Sequence, residues 1–160
     1  MVYDAGDNYI VVAGMLSAQV DCVPSVQRPL EIERRVPIMD YVVEHDNRLW
    51  GCHYGLNEDG KFVNEIYCSK QGDFRNWYCF MGLSTDSWQA SVGVDGLFTG
   101  ACVLNGYVYF FKENCAIRVG GKLPESFTTS VTELSGVQWG CWRSLQVIEG
   151  VAYYKGTDGV

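Results

Sequence analysis

The chain has 160 residues, a formal net charge of -7, and 48% hydrophobic against 19% charged residues. That composition can bury a core, which excludes wholesale disorder, and the acidic balance repels phosphate backbones, so no nucleic-acid partner is expected. Eighteen glycines, ten tyrosines and five tryptophans tilt the balance toward strands joined by tight turns.

In chain order, the first apolar run is "YIVVAG" (9–14). It reads as a strand. An acidic stretch precedes it, and its apolar length falls short of a bilayer, so neither a secretory signal nor a membrane partner is expected. Residues 18–37 carry three prolines, which disfavour central strands, and read as a joining or edge segment. Short strand-like runs then follow at 40–45, 48–55, 64–70, 98–104, 107–113, 115–121, 127–134, 143–149 and 151–155. Most are bounded by Gly, Asn or Asp. Helical periodicity with a cap at its start is missing throughout.

Two-residue hairpin turns are predicted at Asp46–Asn47, Asn105–Gly106 and Glu149–Gly150. Asn-Gly is the strongest signal, because both central residues of a type I′ turn need positive φ. Asn114 ends a further hairpin, and "NEDGK" (57–61) marks another. With Asn8, Asn47, Gly106 and Gly150 in one register, the spacings are 39, 59 and 44 residues. The long unit is expected to hold its extra length in "GLNEDGKFV" and "STDSWQASV". A period of about 40–50 residues with about four strands is that of β-propeller blades, which bury their faces by radial stacking.

The expected fold is therefore all-β: antiparallel four-stranded meanders in a partial β-propeller of about three blades. A β-sandwich or irregular barrel is the alternative. The expected units are an N-terminal strand and joining segment (1–36), a blade with a hairpin insertion (37–94), a blade (95–135) and an incomplete blade (136–160). A closed ring needs more chain than this, so the sequence is expected to be a piece of a longer protein or to complete its sheets with another copy. An incomplete blade leaves strand edges that favour self-association.

Seven cysteines stand at 22, 52, 68, 79, 102, 115 and 141, with no Cys-x-x-Cys pair. Most lie in apolar runs such as "WYCF" and "GACVL". They read as free, buried thiols of a chain folded in a reducing compartment.

Chemical motifs are thin. "SKQGDFRNW" (69–77) approximates the Asp-box of sialidase propellers, but Asp73 follows Gly72 instead of preceding it. It reads as a tight turn with Asn76 tying the backbone and Trp77 packed between blades. His45, His53 and Asp46 make too sparse a set for a metal. Asp86, Asp95, Glu113, Glu125, Glu133 and Asp158 are scattered in the sequence, with nothing that pairs them for glycoside hydrolysis. Ser84, Ser91 and Ser144 lack a nucleophile elbow. "GVDGLFTG" (93–100) is followed by a strand, not a helix, which argues against a phosphate cradle. Trp50, Trp77, Trp88, Trp139 and Trp142 read as core between blades, with a sugar-binding face as the alternative. No catalytic, cofactor-binding or metal residue is assigned, no cofactor is expected, and the chain is not expected to be an enzyme.

Four phrases recur in order: Asn47–Trp50, Ile66–Trp77 ("IYCSKQGDFRNW"), Asp95–Gly100 and Gly106–Glu113 ("GYVYFFKE"). A fifth spans Gly136–Val160. In order and spacing they resemble a family of bacteriophage and prophage virion proteins of Firmicutes phages with β-propeller-like repeats, over about residues 37–160. The resemblance implies a non-catalytic virion structural protein: a tail-associated β-propeller assembly module made in the host bacterial cytoplasm and located in the virion. Its partners would be other virion proteins or further copies of itself. The alternative is a carbohydrate-binding or carbohydrate-cleaving propeller acting on a surface glycan of the host.

Overall fold

The computed structural model describes residues 35–159. The expected strand at 9–14, most of the joining segment and Cys22 lie outside the described residues. The chain is all-β. Strands β1 (Tyr41–His45), β2 (Arg48–Leu56), β3 (Phe62–Cys68) and β4 (Trp88–Ser91) form one antiparallel sheet in the order β1-β2-β3-β4. Strands β5 (Phe98–Leu104), β6 (Tyr107–Lys112), β7 (Cys115–Gly120) and β8 (Thr128–Glu133) form a second meander, β5-β6-β7-β8. Strands β9 (Gln146–Ile148) and β10 (Val151–Tyr153) pair as a hairpin. Among the described residues no sheet closes into a barrel, and no helix is long and apolar enough to cross a membrane.

The three predicted turns set the register. Asp46 and Asn47 both have φ 55°, Asn105 has 50° with Gly106 at 78°, and Glu149 has 50° with Gly150 at 76°. These are the left-handed pairs that a type I′ turn requires, and their twist matches that of the flanking strands. His45 accordingly pairs with Arg48, Leu104 with Tyr107 and Ile148 with Val151. The Glu113–Asn114 connection between β6 and β7 is also two residues long, yet neither residue has positive φ.

The sequence reading missed β4. "STDSWQASV" is not an insertion, since its Trp88–Ser91 is the fourth strand, paired to β3 from Glu65↔Ser91 to Cys68↔Trp88. "GLNEDGKFV" is the ordinary tip of the β2–β3 hairpin. The added length of this unit lies in the β3–β4 connection, residues 69–87.

Strand alternation sorts the core into two layers. Trp50, Cys52, Ile66 and Cys68 of the first sheet meet Val108, Phe110, Cys115, Ile117 and Val119 of the second. The opposite face of the second sheet, with Cys102, Phe111 and Ala116, packs on Val137, Leu145 and Tyr154. A bulge between Phe98 and Gly100 shifts the β5 parity, so Phe98 and Ala101 share one face. Strand β5 lies alongside both β1 and β9, so the first strands of the three sheets are neighbours. Trp50, Trp88 and Phe127 close the first layer, with ring centroids 5.1–6.1 Å apart. Trp50 is buried and Trp88 and Phe127 are half-buried; full burial of a large apolar side chain contributes about 1.5–3 kcal/mol.

Candidate functional site

The described residues bury few polar side chains, and each of the charged ones has a traceable task. Lys112 ends β6 on the same face as Val108 and Phe110, so strand alternation aims its side chain between the two sheets. It is 1% exposed. Its Nζ donates to Asn64 Oδ1 at 3.0 Å, Val94 O at 2.8 Å and Gly96 O. The rings of Tyr54 and Phe98 stand 4.8 and 4.4 Å from the ammonium. Burial pulls its pKa below the ordinary lysine value, while nearby acidic groups oppose the shift. The glycine-rich stretch 93–100 thus presents carbonyls to a cation, the opposite of a phosphate cradle.

Arg48, the first residue of β2, is buried under the 69–87 connection. Its guanidinium donates to the carbonyls of Ser69 (2.9 Å), Ser84 (2.9 Å), Thr85 (3.3 Å) and Asp86. The planar five-donor fork suits four carbonyls converging from one loop. Asp86 completes that loop by accepting from the amides of Met81 and Leu83 and from the Cys79 thiol. Burial alone would raise its pKa, but the hydrogen bonds outweigh burial and hold the carboxyl below its ordinary value.

The candidate motifs resolve individually. In the 69–77 stretch Gly72 has φ 76°, Asp73 accepts from the Arg75 amide, and Asn76 accepts from the Tyr78 amide. Trp77 is buried, but outside the two inter-sheet layers, and its Nε1 has no hydrogen-bond partner among the described residues. His53 faces Asp40 Oδ1 through Nδ1 and Leu56 O through Nε2, both at 3.1 Å. It does not meet His45, which pairs with Arg48 in the ladder. Among the described residues no group of three His, Cys, Asp or Glu could hold a metal. Ser144 donates to Cys141 O and accepts from the Lys155 amide. Ser91 sits on β4 opposite Glu65, and Glu133 ends β8.

Cys52, Cys68, Cys102 and Cys115 are buried free thiols, and Cys79 and Cys141 are half-buried. Burial pushes Cys68 and Cys102 up to about 11. They fill space in the two layers as small apolar groups.

The structure places carboxylates that the sequence leaves scattered along common grooves. Asp86, Ser84 and Glu125 line a groove of about 520 Å³ with Phe80, Leu83 and Trp88. A second groove, of about 310 Å³, lies where the 94–98 link, the β6–β7 turn and the 138–141 turn converge. Asp95, Glu113, Asn114, Thr99 and Trp139 line it. Asp95 Oδ1 accepts from Tyr54 Oη at 2.6 Å, and that hydrogen bond pushes the phenol above its ordinary pKa. Glu113 Oε1 accepts the Trp139 amide at 2.9 Å. Trp139 and Trp142 are exposed, in contrast to Trp50 and Trp77.

Lys112, Arg48 and Thr99 went unmarked in the sequence reading. Lys112 had a signal: it falls on the inward alternation of "YVYFFK". Thr99 had none, since its burial follows from the bulge. Comparison of the chain with protein-family models, curated proteins and solved structures finds no match.

Proposed function

We propose that this chain is a non-catalytic structural module of a phage or prophage virion, tail-associated, whose stacked meanders are propeller-type blades. It is assembled in the bacterial cytoplasm and serves by docking to other virion proteins or to copies of itself. The observation that carries the reading is the outward face of the β9–β10 hairpin. Tyr154 packs against the second sheet, so alternation turns Tyr153 away from it, together with the ladder pair Val151 and Ile148. All three are about half-exposed. Among the described residues the outer edge of β10 is unpaired. An apolar face beside an open strand edge is a template for a further sheet. The neighbouring first strands β1, β5 and β9 support radial stacking, and the ordered phrases of residues 37–160 support the virion setting.

Light scattering behind size exclusion, over a range of concentrations, tests the docking. Association beyond the 17.9 kDa monomer is expected. Val151→Lys, which places a charge on the outward face, should abolish it. A monomer at every concentration would overturn self-docking. Mass spectrometry of purified particles from a producing strain tests the virion assignment, and particles free of this chain would sink it.

A further inference from the structure

The groove at the end of the second sheet has the parts of a sugar site. Trp139 is 58% exposed at its rim. The turn that carries it is fixed, since Cys141 N–H donates to Gln138 O at 2.9 Å and Trp139 N–H donates to Glu113. An indole held in place on a tight turn offers a flat apolar platform at low entropic cost. In the wall lies Thr99, fully buried, with a hydroxyl that has no hydrogen-bond partner among the described residues. A buried hydroxyl left unsatisfied is costly, and a ligand hydroxyl reaching it would remove that cost.

Polar complementarity points the same way. Among the described residues the Asp95 carboxylate accepts from Tyr54 and the Glu113 carboxylate from the Trp139 amide; both retain acceptor capacity, and Asn114 adds an amide. Acceptors on exposed carboxylates suit the hydroxyl donors of a polyol. Lys112 also lines the groove, but its ammonium is spent on Asn64 Oδ1, Val94 O and Gly96 O and has no proton left to donate. Two carboxylates with no available cationic donor disfavour an anionic ligand. The volume of about 310 Å³ accommodates one or two sugar rings.

We propose that this groove binds a neutral saccharide, with Trp139 as the stacking platform and Thr99, Asp95 and Glu113 as hydroxyl partners. The site is separate from the β9–β10 docking face, so its failure and the failure of self-docking are distinguishable.

The test is titration of the whole chain with neutral hexoses, N-acetylhexosamines and their disaccharides. It is followed by calorimetry and by the NMR signals of the five tryptophan indoles. Glucuronic and sialic acids serve as anionic controls. Saturable binding with dissociation constants of roughly millimolar is expected, with one indole shifting. Trp139→Ala should remove that indole signal and abolish binding. Thr99→Val keeps the volume and deletes the unpaired hydroxyl, so it should leave thermal stability equal or higher while weakening binding about tenfold. Val151→Lys should leave sugar binding unchanged. No binding by any neutral saccharide would overturn the proposal. So would binding that survives both groove variants, or preference for the acidic sugars.

Discussion

Arg48 and Lys112 are buried cations that bond to carbonyl and amide oxygens rather than to carboxylates. Several partial charges replace one full counter-charge, and each cation thereby ties down a segment that has no ladder of its own. Arg48→Lys keeps the charge but loses the fork, so it should cost about 2–3 kcal/mol. Hydrogen exchange should locate the loss in faster amides across residues 79–87, and unchanged exchange there would refute the clamp. Asp86 holds the same connection from within. Its carboxyl titrates lower in the folded chain than in the unfolded one. Its contribution is therefore full above about pH 4 and is lost as the pH falls through the folded value. Urea midpoints measured from neutral into acid pH should show a shallower acid limb in Asp86→Asn than in the parent. An identical limb in both would exclude Asp86 as its source.

At the scale of elements, the type I′ turns are where sequence and register meet. Asn105–Gly106 suits its left-handed pair, whereas Glu149 occupies φ 50° without the local hydrogen bonding that makes Asn tolerant there. Glu149→Asn should stabilise the β9–β10 hairpin by about 0.5–1 kcal/mol, read as a higher thermal midpoint. A lower midpoint would mean that the Glu149 side chain does something more than turn the chain. Strand β8 illustrates a different limit. Its "TTSVTE" is mostly exposed, and its threonines and glutamate keep the outer edge of the second sheet polar. Its neighbour in kind, β4, is only four residues long and was not legible. "WQAS" has too few alternations to announce a strand, and pairing to β3 across a 19-residue connection is a non-local event.

For the whole molecule, stacking of sheets depends on a few close approaches. Gly136 donates its amide to Glu113 O at 2.9 Å, and a Cβ there would sit 1.9 Å from Lys112 O. Gly136→Ala should push the 136–141 segment off the second sheet, exposing the fully buried Val137, at about 2–4 kcal/mol. A denaturation midpoint unchanged from the parent would refute that contact. The amino-acid sequence alone determined the all-β class and the three left-handed turns. These follow from local rules: two-residue periodicity and the φ that Asn and Gly tolerate. Only the tertiary structure decided which loops Arg48 and Lys112 hold, that β4 completes the first sheet, that a bulge buries Thr99, and that Asp95, Glu113 and Trp139 share one groove. Each of these joins residues distant in the chain, and periodicity carries no information about which distant backbone will supply the partner.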